Sequence, residues 1–344
     1  KVGDVIFNTQ QIEEQIALAE GKGVEIITFP ELSITGYSCQ DLFRQQMLLE
    51  SSEQAVMMLL DFTRKLDIIS IVGAPVIAGD LLLNCGIVIQ HGQILGIVPK
   101  TYLPNYSEFY EKRWFASAQD LRDCEVRYAG HKVKLTPDVQ IFQTFDGVQF
   151  GVEICEDVWA PAPPSNKLAL AGADLIFNLS ASDEATGKSA YRESLIAGQS
   201  ARLLGGYIYA SAGEGESTQD LIFSGHNVIA ENGHVLAESD RFGAKSIYTE
   251  LDLRRLSAER RRMTSFETDS HGYEKIAFHL DIHETELTRY FDPAPFVPSG
   301  MADREKRCEE ILMMQAVGLK KRMEHTGSRH IVVGISGGLD STLA

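Results

Sequence analysis

Three times between residues 24 and 155, an apolar run stops at a residue that can do chemistry. The run over 24–29 gives way to Pro30-Glu31, that over 93–98 to Pro99-Lys100, and that over 148–154 to Cys155. In the last run Val148, Phe150 and Val152 alternate with Gln149, Gly151 and Glu153, the pattern of a half-buried strand, and Glu156-Asp157 ends it. In open α/β folds the ligand crevice lies just beyond the carboxyl ends of the strands. The pattern therefore favours a fold in which sheet ends converge and Glu31, Lys100 and Cys155 share one site.

The rest of the chain supplies layers around such strands. Ile12, Ile16 and Ala19 recur at helical spacing, which predicts a helix capped by Asn8 or Thr9 and stopped by Gly21 or Gly23. Ser51 and Gln54 read as a capping box before Val56, Leu59, Leu60 and Phe62, ahead of a strand over 68–72. Strands over 81–89 and 93–98 join at His91-Gly92, and a second hairpin turns at Asn232-Gly233. Residues 101–115 are dense in aromatics and acids without a period and read as a functional loop. Further on, 173–180 reads as a strand, 190–204 as a helix closed by Gly205-Gly206, and 207–211 as a strand. Single helices alternating with paired strands predict a layered α/β domain extended by hairpins.

From about residue 285 the character changes. The Pro-rich stretch 292–300 reads as a linker, followed by a long helix carrying Ile311, Met314, Val317 and Leu319. A strand over 331–335 then runs into Ser336-Gly-Gly-Leu-Asp-Ser341. The expected organisation is a domain over 1–284, a linker over 285–300 and the start of another domain over 301–344, since 344 residues exceed one ordinary domain. The chain lacks an initiator Met and breaks off in what reads as the first turn of a helix, so both ends read as cut.

Composition narrows the function classes. A net charge of −16 argues against a duty dominated by nucleic-acid backbone. The basic exception, Arg254-Arg255 with Arg260-Arg261-Arg262, reads as a solvated helix face. Cysteines 39, 85, 124, 155 and 308 are odd in number and show no CxxC, which fits a reducing cytoplasm better than disulfides or a zinc site. No apolar run approaches the ~20 residues needed to span a bilayer, and no secretory signal opens the chain, so a soluble cytoplasmic protein is expected.

The three strand-end residues suggest one reaction. A free cysteine is usually a small buried hydrophobe, and a lone Glu or Lys after a strand is usually a solvated loop charge. Together they describe more. A thiol with the ordinary pKa of about 8.5 is only a few per cent thiolate at neutral pH, and Lys100 would favour the charged form. Glu31 would take the thiol's proton and later activate water, while Lys100 and the backbone N–H after Cys155 would stabilise an oxyanion. That is acyl transfer through a thioester.

Three blocks carry a family resemblance: Phe-Pro-Glu-Leu-Ser-Ile-Thr-Gly-Tyr around Glu31, Pro-Lys-Thr-Tyr-Leu-Pro-Asn-Tyr-Ser-Glu-Phe-Tyr-Glu around Lys100, and Gly-Val-Glu-Ile-Cys-Glu-Asp-Val-Trp around Cys155. In them the chain resembles the nitrilase superfamily, and more closely the amidase domain of glutamine-dependent NAD synthetases. The resemblance implies a four-layer αββα sandwich with Glu31 as general base, Lys100 as cationic stabiliser and Cys155 as nucleophile. It places the superfamily's supporting glutamate on Glu108, with Glu111 as the other choice. It puts glutamine binding on Tyr106, Ser182 and Lys188, where Lys replaces the Arg expected in many members and offers a point charge in place of a bidentate fork. It also implies a core strand ahead of Val2, which this sequence lacks.

The run Gly334-Ile335-Ser336-Gly337-Gly338-Leu339-Asp340-Ser341 resembles the PP-loop of ATP pyrophosphatases, a truncated α/β domain here. There backbone N–H groups would approach a pyrophosphate and Asp340 would hold magnesium. What the resemblance implies is a glutaminase that needs no cofactor. Its ammonia would serve ATP- and magnesium-dependent amidation of deamido-NAD in a full-length, homo-oligomeric enzyme. A free-standing nitrilase-type amidase for another small amide and a catalytically silent assembly domain are the competing readings.

Overall fold

The first helix shows how local chemistry ties the framework to the chemistry-bearing turns. In the computed structural model, which describes every residue except 146, 244, 269, 270, 281, 283, 284 and 299, helix α1 spans Val5–Glu20. Asp4 caps it, accepting from the Phe7 N–H at 3.3 Å, so the helix starts ahead of the expected caps. Asn8 and Thr9 lie inside it and are buried. Asn8 Nδ2 donates to the Ile34 carbonyl at 3.0 Å, pinning α1 to the turn after Glu31.

Strand β1 (Ile26–Thr28) leads to α2 (Gln46–Phe62), which begins before Ser51, so Ser51 sits within the helix and not at its cap. Then come β2 (Ile69–Ala78), β3 (Leu81–Gln90) and β4 (Gln93–Pro99). His91 and Gly92 both take positive φ, 49° and 72°, as the tight hairpin between β3 and β4 requires. The sheet runs β1-β2-β3-β4, with β1 parallel to β2 and the rest antiparallel. Ile12 and Ile16 of α1 and Val56 and Leu59 of α2 pack on Val72, Ala74, Val76 and Ile87 of its outer face.

A short hairpin, β5 (Cys124–Tyr128) with β6 (His131–Leu135), and β7 (Val139–Thr144) follow; none was expected. Next are β8 (Gln149–Ile154), α3 (Glu156–Trp159), α4 (Pro164–Leu170), β9 (Leu175–Ser180), α5 (Lys188–Leu203) and β10 (Gly206–Ser211). The expected hairpin at Asn232-Gly233 joins β11 (Val228–Glu231) to β12 (His234–Glu238). Helix α6 (Leu253–Arg262) and β13 (Tyr273–Phe278) complete the unit. The second sheet runs β12-β11-β10-β9-β8-β7-β13.

Alternation decides what lies between the sheets. Ile69, Ile71, Val88 and Val98 of the first face Phe142, Phe150, Val152, Leu175, Phe177 and Leu179 of the second. On the far side of the second sheet, Ile176, Tyr207 and Tyr209 pack beneath Leu168 of α4 and Ile196 and Leu203 of α5. The order is helix, sheet, sheet, helix, the four-layer αββα sandwich.

The basic cluster is exposed at Arg254, Arg255, Arg261 and Arg262, as expected, and departs from that at one residue. Arg260 is not on a solvated face: its guanidinium donates to the carbonyls of Ala173 at 2.6 Å and of Leu203 and Leu204 at 3.1 Å, and pairs with Asp174 at 3.2 Å. It thereby closes the C-terminus of α5, where carbonyls lack helical partners.

The chain divides into units of Lys1–Arg289 and Tyr290–Ala344. Residues 285–289, expected in the linker, fall in the first unit: Thr288 Oγ1 donates to Glu250 at 2.7 Å, and Arg289 pairs with Glu231 at 2.8 Å. The expected boundary residue 284 lies outside the described residues. Taken by itself, the second unit holds α7 (Met301–Thr326), closed by Gly327 at φ 68°, and α8 (Leu339–Leu343). The strand expected over 331–335 is not formed, because a strand's backbone groups need a neighbour and no described residues pair with this run.

Gly73 of β2 passes directly under the turn that carries Glu31. A β-carbon there would stand 2.2 Å from the Leu32 nitrogen and 2.9 Å from the Glu31 carbonyl carbon. Gly73→Ala is expected to cost about 3 kcal/mol as that turn is pushed away. The check is the urea midpoint, and an unchanged midpoint would contradict the close approach.

Candidate active site

Each sheet sends strand ends to one place. Pro30 ends β1, and the N–H of Glu31 donates to the Ser180 carbonyl of β9 at 3.2 Å, stitching the first sheet to the second. The Glu31 side chain is buried. Its Oε1 accepts from Asn84 Nδ2 and Lys100 Nζ, both at 2.6 Å, and its Oε2 from the Ala181 N–H at 3.0 Å. Lys100 follows β4, its own N–H donating to the Asn84 carbonyl at 2.8 Å. Its Nζ also reaches both oxygens of Glu111, at 2.8 and 2.9 Å. Tyr37 donates its hydroxyl to Glu111 at 2.8 Å.

Cys155 stands between β8 and α3 with φ 43° and ψ −99°, a backbone conformation that costs a residue with a β-carbon about 1–3 kcal/mol. The surroundings enforce it. Its N–H donates to the Leu179 carbonyl at 2.9 Å and to Asn178 Oδ1 at 3.2 Å. The buried Asp157 carboxyl accepts from the N–H groups of Ile154 at 2.9 Å, Tyr102 at 2.8 Å and Thr101 at 3.2 Å. One side chain thus joins the cysteine's turn to the loop after Lys100. Behind it, Asn178 Nδ2 donates to Tyr207 Oη at 3.0 Å, Tyr207 donates to Glu153, and Glu153 accepts from the Ser165 N–H at 2.7 Å.

The electrostatics follow from two carboxylates around one ammonium. Burial works against the Lys100 charge, but Glu111 and then Glu31 outweigh it and hold the ammonium well above its ordinary value. Burial pushes Glu111 up to about 7, with Lys100 pulling it down and Glu31 pushing it further up. The Cys155 thiol is raised well above its usual value, first by burial and then by Glu31; Lys100 and a Ser180 hydrogen bond oppose this, and Glu111 adds to it. The pull of Lys100 toward a thiolate, which the sequence led us to expect, is present but is outweighed, first by burial and then by the Glu31 charge. The arrangement places the thiol within electrostatic reach of Glu31, Lys100 and Glu111.

The expected supporting glutamate, Glu108, is exposed and does not reach Lys100. Glu111, the other choice, is the one that reaches Lys100. Its N–H donates to the Pro104 carbonyl at 3.1 Å and its carbonyl accepts from Phe115 at 2.9 Å, and the short 3-10 turn over Glu111–Arg113 aims its side chain inward.

Tyr106 is 55% exposed and donates its hydroxyl to Glu156 Oε1 at 2.9 Å, on the residue directly after Cys155. Ser182 is buried, with Arg192 Nη2 at 3.5 Å from its Oγ. Lys188 opens α5, pairs with Asp183, and holds its Nζ 5.4 Å from the Trp159 ring centre and 5.9 Å from that of Phe109. Tyr106 and Lys188 therefore lie near α3, while Ser182 faces Arg192 of α5. Residues Gly334 to Ser341 belong to the other unit, where the Ser336 N–H donates to Ser341 Oγ at 3.2 Å and the Gly338 N–H to Ser336 Oγ at 3.3 Å, just before α8. Asp340 there is exposed, and no group of three or more metal-ligating side chains occurs among the described residues.

The carbon-nitrogen hydrolase family profile matches residues 3–261. The chain belongs to that family. This carbon-nitrogen hydrolase is 37% identical to the glutamine-dependent NAD(+) synthetase of Mycobacterium tuberculosis over 100% of its own length and 52% of the relative's. It is 31% identical to that of Aquifex aeolicus over 99% of its length and 55% of the relative's. It spans about half the length of the curated relatives it matches. Among solved structures, a glutamine-dependent NAD(+) synthetase from Cytophaga hutchinsonii superposes with a TM-score of 0.62 at 31% identity, over 70% of this chain and 39% of that one. An amidase from Nesterenkonia sp. superposes at 0.55 and 19% identity, over 70% and 82%, a likeness of fold.

The two glutamates make opposite predictions. Glu111→Gln is expected to slow amide hydrolysis roughly a hundredfold, since it removes one of the two charges that place the Lys100 ammonium. Glu108→Gln should change it less than about twofold. Initial rates on the two variants decide, and the reverse ranking would return the role to Glu108.

Proposed function

We propose that this chain is the glutaminase half of a glutamine-dependent NAD synthetase. The observation that carries the reading is the buried set Glu31, Lys100 and Glu111, whose charges act on a cysteine thiol held at a strained strand end. The curated relatives extend the argument, since they match through residues beyond the 3–261 segment that alone would suit a free-standing amidase.

The chemistry runs as follows. Cys155 Sγ attacks the side-chain amide carbon of L-glutamine as Glu31 takes the thiol's proton. Lys100 and the backbone N–H of Glu156 meet the oxyanion that develops on the amide oxygen. The C–N bond breaks as Glu31 returns the proton to the leaving nitrogen, and ammonia departs. Glu31 then deprotonates a water that attacks the thioester carbon, releasing glutamate and restoring the thiol. Glu111 keeps the Lys100 ammonium charged and placed. Tyr106, Ser182 and Lys188 hold the glutamine, Lys188 meeting its α-carboxylate.

In the full-length protein the ammonia passes to the ATP-dependent amidation of deamido-NAD. The turn Gly334 to Ser341 would hold nucleotide phosphates through its backbone N–H groups, and Asp340 would share magnesium with them. Ammonia that escaped would protonate in water and lose its nucleophilicity, so direct transfer is the economical route.

Cys155→Ala in the full-length protein is expected to abolish glutamine-driven NAD synthesis while leaving synthesis from added ammonium within about twofold. Coupled NADH-forming assays with each nitrogen source measure both. Glutamine-driven synthesis in the variant would refute the nucleophile, and amide hydrolysis without any NAD formation in the unaltered protein would favour the free-standing amidase.

A further inference from the structure

Lys188 does not meet an incoming substrate alone. Its ammonium is paired with Asp183, the residue after Ser182, and the Asp183 side chain is only 8% exposed. The backbone beneath that carboxylate is fixed from two directions. The wholly buried Arg192 donates to the Asp183 carbonyl at 3.1 Å and is itself held by Glu184 at 3.0 Å and His226 Nδ1 at 2.9 Å. On the other side Asp183 bridges to Phe223, and the Glu184 N–H donates to the Ile222 carbonyl. Asp183 thus presents its charge from an immobile support.

The Lys188 ammonium is not free to meet a simple anion, since it is already paired with Asp183. Asp183 and Glu156 both act on the Tyr106 hydroxyl, and Glu156 in turn senses Lys188, so carboxylates stand close to the Lys188 ammonium, Asp183 directly paired with it. The Trp159 and Phe109 rings cover other sides of the Lys188 head. An entering carboxylate drawn to Lys188 would also meet Asp183, the partner it displaces. A zwitterion finds a partner for each end, and its arrival exchanges the Lys188–Asp183 pair for two new ones.

We propose that Asp183 is a specificity-determining residue that pairs with the substrate's α-ammonium while Lys188 takes the α-carboxylate. The site then selects side-chain amides of free α-amino acids over amides that carry a carboxylate alone. This rests on the reading of the site as a glutaminase.

The test compares, in the full-length protein, initial-rate hydrolysis of L-glutamine and of glutaramate, which is glutamine without its α-amino group. The unaltered protein should prefer glutamine roughly ten- to a hundredfold in kcat/KM, the range for one hydrogen bond to a charged group. Asp183→Asn, which leaves the main-chain anchors in place, should bring the ratio near one, chiefly through the glutamine KM. Lys188→Gln should weaken both substrates alike and keep the ratio. Asp183→Glu retains the charge and should retain the preference. If Asp183→Asn keeps the preference, or Asp183→Glu loses it as fully as Asn does, Asp183 does not read the ammonium although glutamine hydrolysis stands. If the unaltered protein hydrolyses acetamide but neither test compound, the glutaminase reading fails and this inference with it.

Discussion

A buried ammonium shared by two buried carboxylates is the interaction on which the rest of this molecule depends. Lys100 has no exposed side-chain surface and donates to Glu31 and to both oxygens of Glu111. Isolated in the interior any of these charges would cost several kcal/mol, so none is tolerated without the others. Glu31 arrives from the end of β1, Lys100 from the end of β4 and Glu111 from the loop beyond it, and their mutual neutralisation holds those segments together. Asn84 Nδ2 and the Ala181 N–H also donate to Glu31, the latter from the end of a strand in the second sheet. The ion cluster is therefore also a joint between the sheets, and the αββα layering is what brings its parts into register.

The same cluster acts on the Cys155 thiol. Burial first, and then the Glu31 charge, raise the Cys155 thiol, so in the proposed mechanism the proton moves during attack and Glu31 receives it. Geometry is supplied from behind. The strained turn at Cys155 is bound to β9 through Leu179 and Asn178, and to the loop after Lys100 through Asp157. Reactive group and base are thus positioned by neighbouring elements of one rigid framework, and the polar path Asn178–Tyr207–Glu153 carries that fixation deep into the second sheet.

Much of this was legible because the decisive signals are local. Pro30 and Pro99 stop strands, and the alternation before Cys155 marks a third, so the residues just past them were identifiable as a set. The layered fold followed from the same periodicity. Where the reading failed, the answer lay in contacts between segments distant in sequence. Nothing in the run from Glu108 to Glu111 says which acid turns inward; the backbone bond to Pro104 and one short turn decide it. Asn84, polar within the apolar stretch 81–89, was a visible signal that went unread. Asp157 looked like a strand terminator, because the partners that bury it come from other elements. The 331–335 run has strand composition, yet composition cannot provide the neighbour that a strand requires.

The central claim is that Cys155 rests as a protonated thiol and relies on an adjacent base. It is tested most directly by the rate of Cys155 alkylation with iodoacetamide across pH, followed by peptide mass mapping to separate it from the other cysteines. A raised thiol pKa means thiolate accumulates only in alkaline solution, so the account predicts a rate still climbing past pH about 9, above the ordinary thiol value. A rate that levels off at or below neutrality would reveal a preformed thiolate stabilised by Lys100, and would contradict it.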